Sequence, residues 1–269
     1  LESEGRFAEH VLGEYRQLNL TFTPRITGVS TEEEVFHQLD NVHYDLIIFV
    51  IGIDKKMPLM VSQKVKARYP YIPLFFLVNN NSDISHFSEK KPRYVDRIFS
   101  WNGDSNIFLA MIKLVEDRVN VNNDTRLGMV RVILLVEDSA KYYSRLVPLL
   151  YRVVLEQTRR IIDDVEGDEL YQLLRLRARP KILIASTHEE ALSIIRRYKE
   201  YLQCLITDVR FPKDGVLAER AGYDLVKTVH NEIGELPICI QSSDVASQFK
   251  KNTCYINKNS DTLENDIRV

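Results

Sequence analysis

The chain has 269 residues, with 36 Lys and Arg against 38 Asp and Glu and an apolar share of 45%, which bounds it to one large or two ordinary globular domains. A formal net charge of −2 gives no general attraction to nucleic acid or anionic lipid, and no apolar run approaches the ~20 residues needed to span a bilayer. No signal peptide is visible and the first residue is Leu1, so the chain reads as a piece cut from something longer.

In chain order, the first helix is predicted over "EGRFAEHVLGEYRQL", and a second over "STEEEVFHQLDN", whose Ser-Thr start and early glutamates form a capping signature. Short β-rich runs follow at "YDLIIFVI", "IPLFFLV" and "VDRIFS". After them comes "VNVNNDTRLG", Val119 to Gly128, crowded with Asn and Asp and read as a linker. The second half predicts strands at "VRVILLVE", "PKILIAS", "QCLITDV", "LPICIQS" and "TCYINK", with the capped helix "STHEEALSIIRRYKEY" among them. Alternating strands and helices argue for parallel sheets with helices on both faces. The order repeats, so domains are placed at 1–121 and 129–269, joined by 122–128. The first lacks an opening strand.

The three cysteines (Cys204, Cys239, Cys254) lie in or beside apolar strand-like runs and read as buried reduced thiols. The six histidines are scattered without metal-ligand spacing. No Gly-rich phosphate loop and no nucleophile triad is present, so an outright enzyme has no support in these residues.

The chemistry gathers at strand ends of the second half. One strand finishes on Glu137 and Asp138, another on Asp208, a third on Ser242 and Ser243, and the last on Lys258. In open parallel sheets ligands sit beyond the carboxyl ends of the strands. Three converging carboxylates would raise one another's pKa unless compensated. A hard divalent cation such as Mg²⁺ is the natural compensator. Such a site suits phosphoryl transfer, with an aspartate able to act as nucleophile.

On "LLVEDS", "ITDVRFP", "PICIQSS" and "YINKN", in that order, the second half resembles a response-regulator receiver domain. The resemblance implies two flavodoxin-like α/β domains in tandem and residue roles as follows. Asp208 stands at the phospho-acceptor position, and Glu137 and Asp138 at the Mg²⁺-binding acidic pair. Arg210 would offer its backbone carbonyl to the metal. Ser242 stands at the hydroxyl position, Tyr255 at the aromatic switch and Lys258 at the phosphoryl-neutralising lysine. The implied partner is a histidine kinase or phosphotransfer protein, the implied place the bacterial cytoplasm, and turnover is limited to self-phosphorylation and loss of the phosphate. The sequence departs from the family at Asn259, where a proline is usual, in a longer loop between Pro212 and Gly222, and in a shortened segment between Ser242 and Tyr255.

The first half resembles a receiver without its chemistry. Val50, Val78 and Trp101 occupy the acceptor, hydroxyl and lysine positions, which implies a pseudo-receiver used for packing or binding. The stretch from Ser139 to Arg179 predicts one long helix kinked at Pro148 and a second helical piece. This helical region is either a self-packed insertion or a contact arm for a second copy or an attached output domain. The basic residues Arg159, Arg160, Arg175, Arg177, Arg179 and Lys181 read as a solvated face answering nearby acids, not as a nucleic-acid surface. The texture of "RARPKILIAST", "DVRFPKDG" and "INKNS" is similar to receiver regions ahead of phosphoenolpyruvate synthase or pyruvate phosphate dikinase-like modules. A competing expectation is a scaffold that acts without phosphorylation.

Overall fold

A computed structural model describes residues 6–17, 23–89, 92–163, 178–243, 253–260 and 263–268. It is an α/β chain of two compact units: Leu1–Val115 with Tyr143–Pro148, and Glu116–Tyr142 with Leu149–Val269. Among the described residues no helix is long and apolar enough to cross a membrane.

The first unit runs α1 (Arg6–Gln17), α2 (Glu32–Asn41), β1 (Ile47–Val50), α3 (Lys56–Arg68), β2 (Leu74–Val78), α4 (Asn81–Glu89), β3 (Arg97–Ser100) and the first part of α5 (Asn106–Gly128). The α2 start is a capping box. Thr31 Oγ1 accepts the Glu34 N–H at 3.2 Å while the Glu34 carboxylate accepts the Thr31 N–H at 3.1 Å. These two N–H groups would otherwise lack partners at the helix start. The three strands are parallel in the order β1-β2-β3. All five residues of the central strand are buried, as a continuous apolar run requires when both faces are covered. Beside β3, the Ile98 N–H donates to Tyr143 Oη at 3.2 Å and the Ser100 N–H to Ser144 Oγ at 2.9 Å. Val50 and Val78 end β1 and β2, and Trp101 follows β3 directly, so apolar side chains stand at the three ends where the second unit carries polar ones.

The second unit continues α5 and then runs β4 (Val132–Val136), α6 (Ala140–Asp163), β5 (Lys181–Ala185), α7 (His188–Tyr198), β6 (Leu202–Asp208), β7 (Phe211–Lys213), β8 (Val216–Ala218), α8 (Ala221–Glu232), β9 (Ile238–Ser242), β10 (Thr253–Asn257) and α9 (Leu263–Arg268). Its main sheet is parallel throughout, ordered β10-β9-β6-β4-β5. Counted by sequence this is 2-1-3-4-5, an order compatible with flavodoxin-like doubly wound folds. One face buries Val132, Leu134, Val136, Leu205, Ile238 and Ile240 against Ala191, Ile195 and Tyr198 of α7 and Ala221, Leu225 and Val229 of α8.

Three expectations change here. Val119–Gly128, read as a linker, is helical and forms the end of α5. Its polar residues are paired: Lys181 Nζ meets Asp124 across the fold at 2.9 Å, and within the helix Thr125 Oγ1 donates to the Val121 carbonyl at 2.7 Å. Arg179 and Lys181 do not lie on a solvated face; each is 5% exposed. Buried Asp117 accepts from Arg179 at 2.7 and 3.0 Å, from Tyr151 Oη at 2.9 Å and from the Ile182 N–H at 2.9 Å. Burying a guanidinium is favourable only with such complete pairing. The long loop after Asp208 is the antiparallel hairpin β7–β8. Asp214 (φ 53°) and Gly215 (φ 79°) turn it, the left-handed pair that tight hairpins favour. Of the helical region over 139–179, α6 carries Pro148 within it. Its second piece, and the segment after Ser243, lie outside the described residues. The cysteines are unpaired, with Cys239 buried and Cys204 and Cys254 half-buried.

Candidate functional site

The acidic pair follows β4 directly. The Glu137 N–H donates to the Ala185 carbonyl at 3.0 Å, extending the β4–β5 ladder by one step. Glu137 Oε1 accepts the Ser139 N–H at 3.1 Å at the entrance to α6. Asp208 closes β6, where its Oδ1 accepts the Val209 N–H at 2.7 Å. Lys258 follows β10, and its N–H donates to the Ser242 carbonyl at 3.1 Å. Three strands, β4, β6 and β10, thereby deliver their chemistry to the carboxyl edge of one sheet, where the reversal of strand order opens a crevice.

The side chains meet. Lys258 Nζ lies 2.5 Å from Glu137 Oε2 and 2.6 Å from Asp208 Oδ2. Glu137, Asp138 and Asp208 each offer a carboxylate oxygen within 4.8 Å of the others. Glu137 is 0% exposed and Lys258 3%. Burial, with the nearby Asp208 charge, pushes Glu137 up to about 7 although Lys258 and the Ser139 N–H pull the other way. Asp138 is also raised, mainly by burial, against a weaker opposing pull from Lys258 and Arg210. The pocket therefore holds more negative charge than one ammonium neutralises comfortably. Its hard oxygen donors fit a small divalent cation.

The other sequence-predicted residues are Ser242, Tyr255 and Arg210. Ser242 ends β9, in register with Asn257, and touches the lysine through its backbone carbonyl. Tyr255 pairs in register with Ile240 and packs on the α7–α8 face of the sheet. Because strand side chains alternate, Tyr255 points to the face opposite the one that bears Ile256. The Arg210 guanidinium is exposed and lies 3.4 Å from Glu219.

Two contributors carry no motif. Lys258 Nζ sits 4.4 Å from the centre of the Tyr142 ring, a cation–π contact that helps hold a buried ammonium. Gly222 opens α8 against the backbone of Asp208: a Cβ there would stand 2.0 Å from the Asp208 carbonyl oxygen. Its own N–H donates to the Val209 carbonyl at 3.0 Å. Glycine is required by this close approach, and the isolated glycine ahead of an amphipathic run was the sequence signal for it. No protein-family model matches the chain, and no curated protein matches it.

Proposed function

We propose that the second unit is a phosphoryl-accepting receiver domain and that Asp208 is its acceptor. The observation that carries this reading is the meeting of Glu137, Asp138 and Asp208 with Lys258 at the carboxyl edge of a 2-1-3-4-5 parallel sheet. An Asp208 carboxylate oxygen attacks the phosphorus of a phosphohistidine donor. The P–O bond forms as the P–N bond breaks, and the donor's ring nitrogen keeps the electron pair and takes a proton. Glu137, Asp138 and Asp208, with the Arg210 carbonyl, would hold Mg²⁺, which neutralises phosphoryl charge when bound. Lys258 already touches an Asp208 oxygen and shifts to a phosphoryl oxygen after transfer. Burial keeps water from competing for these contacts. The added charge then biases a protein-interaction surface through Ser242 and Tyr255. The first unit, with Val50, Val78 and Trp101 at the corresponding strand ends, acts as a pseudo-receiver.

The test is incubation of the chain with a small acyl-phosphate donor and Mg²⁺, followed by intact mass of the native protein and of Asp208→Ala. One added phosphoryl group, lost in the variant and without Mg²⁺, is expected. No Asp208-dependent gain leaves the scaffold reading, in which the pocket is a relic or a structural cation site.

A further inference from the structure

Gln241 is an exception among the polar groups around the pocket. It is 1% exposed, and among the described residues neither its amide oxygen nor its amide nitrogen has a hydrogen-bond partner. Neighbouring buried polar groups are paired. Glu137 accepts from Lys258 and Ser139, and Thr207 Oγ1 donates to the Asp208 carbonyl at 2.9 Å. A buried amide with nothing to bond is destabilising, and an apolar residue of the same length would fill the space at no such cost.

Its position in the sheet is informative. Gln241 is in register with Asp208 on one side and with Ile256 on the other. Val136 is in register with Thr207, so the next row across the sheet is Glu137, Asp208, Gln241, Ile256. Side chains in one row share a face, and adjacent strands lie about 4.8 Å apart. Gln241 is therefore the in-register neighbour of Asp208, on the same face of the sheet, in the row that also holds the glutamate gripped by Lys258.

We propose that Gln241 is a positioning residue whose amide is paired when Asp208 carries a phosphoryl group. In the ligand-free pocket Lys258 holds Asp208 Oδ2. Once the lysine moves to a phosphoryl oxygen, the acyl oxygen it leaves accepts an N–H from Gln241. The ligand-free state is thereby made less stable and the phosphorylated state more so, and the difference favours phosphorylation. This rests on the phosphoryl-acceptor reading of Asp208.

The test compares the whole chain with Gln241→Met, and with Gln241→Leu as a second apolar replacement. The probe is Mg²⁺ with beryllofluoride, a stand-in for the phosphoryl group on an aspartate. Thermal midpoints without ligand and half-saturation by beryllofluoride are measured. The expected result is a ligand-free midpoint roughly 2–4 °C higher in the variants, with half-saturation raised about tenfold and half-saturation by Mg²⁺ alone unchanged. An equal or lower ligand-free midpoint overturns the inference, because the amide then supports the resting fold. Unchanged beryllofluoride affinity in a variant, with the native chain responding, overturns it while leaving the acceptor reading intact. A native chain that does not respond to beryllofluoride defeats the acceptor reading itself, and this inference with it.

Discussion

Replacing Lys258 by methionine keeps the length of the side chain and removes its charge. In the native pocket the ammonium touches Glu137 and Asp208 at 2.5 and 2.6 Å. Even so, burial raises Glu137 from 4.5 to about 7. A carboxyl group raised in the folded state binds more protons folded than unfolded between these values. Its contribution to stability is fully present below about pH 4.5 and is lost as the pH rises through 7, a swing of about 3 kcal/mol. Without Lys258 the Glu137 pKa rises further, since its attractive partner is gone. At pH 8 the Lys258→Met protein then holds buried negative charge with no compensating ammonium, and about 3–5 kcal/mol of stability is lost. At pH 5 Glu137 is protonated in both proteins, and the loss falls to that of the Asp208 and Tyr142 contacts, about 1–2 kcal/mol. Urea unfolding of both proteins at pH 5 and pH 8 in EDTA measures this directly. An equal penalty at the two pH values would refute the electrostatic reasoning and assign Lys258 a packing role. Added Mg²⁺ at pH 8 should restore part of the loss.

Glu137→Gln removes the group whose pKa is raised, so the fall in stability between about pH 5 and 7.5 should flatten by up to about 3 kcal/mol relative to the native protein, as read by urea midpoints across that range. Gly222→Ala drives a Cβ into the Asp208 carbonyl. We expect a cost of about 1–3 kcal/mol and faster amide exchange at Val209 by hydrogen-exchange mass spectrometry, whereas native-like exchange would show that α8 shifts freely. Asp117→Ala leaves the Arg179 guanidinium buried without its carboxylate and should cost about 3–5 kcal/mol without changing Mg²⁺ binding, in paired unfolding and titration experiments.

The parts of the fold governed by neighbours in sequence were legible from the start. Strand–helix alternation, the apolar run of β2 and the caps at Thr31 and Thr187 are local; at the second, Thr187 Oγ1 accepts the Glu190 N–H at 3.2 Å and the Glu190 carboxylate accepts the Ser186 N–H at 2.8 Å. The strand-end acids and Lys258 could be picked out because they interrupt apolar runs where a parallel sheet opens to ligands. What was not legible depends on partners far along the chain. The helical ending of α5 is held by Asp117 and Asp124 meeting Arg179 and Lys181 more than fifty residues later. In isolation, Asn and Asp in that number indicate a turn. The Asp214-Gly215 pair is a turn signal whose flanking strands, three residues each, are too short to show alternation in the sequence. Tyr142 and Gln241 belong to the site through register and helix packing, which no spacing rule in a single sequence reveals.

The central claim is that Glu137, Asp138 and Asp208 form one cation-holding pocket. Electron paramagnetic resonance with Mn²⁺ as a stand-in for Mg²⁺ tests it most directly, by counting bound ions on the native chain and on Asp138→Asn and Asp208→Asn. One bound Mn²⁺ that Mg²⁺ displaces is expected, with binding lost or strongly weakened in each variant. Absence of a bound ion on the native chain, or undiminished binding after both carboxylates are neutralised, would contradict it.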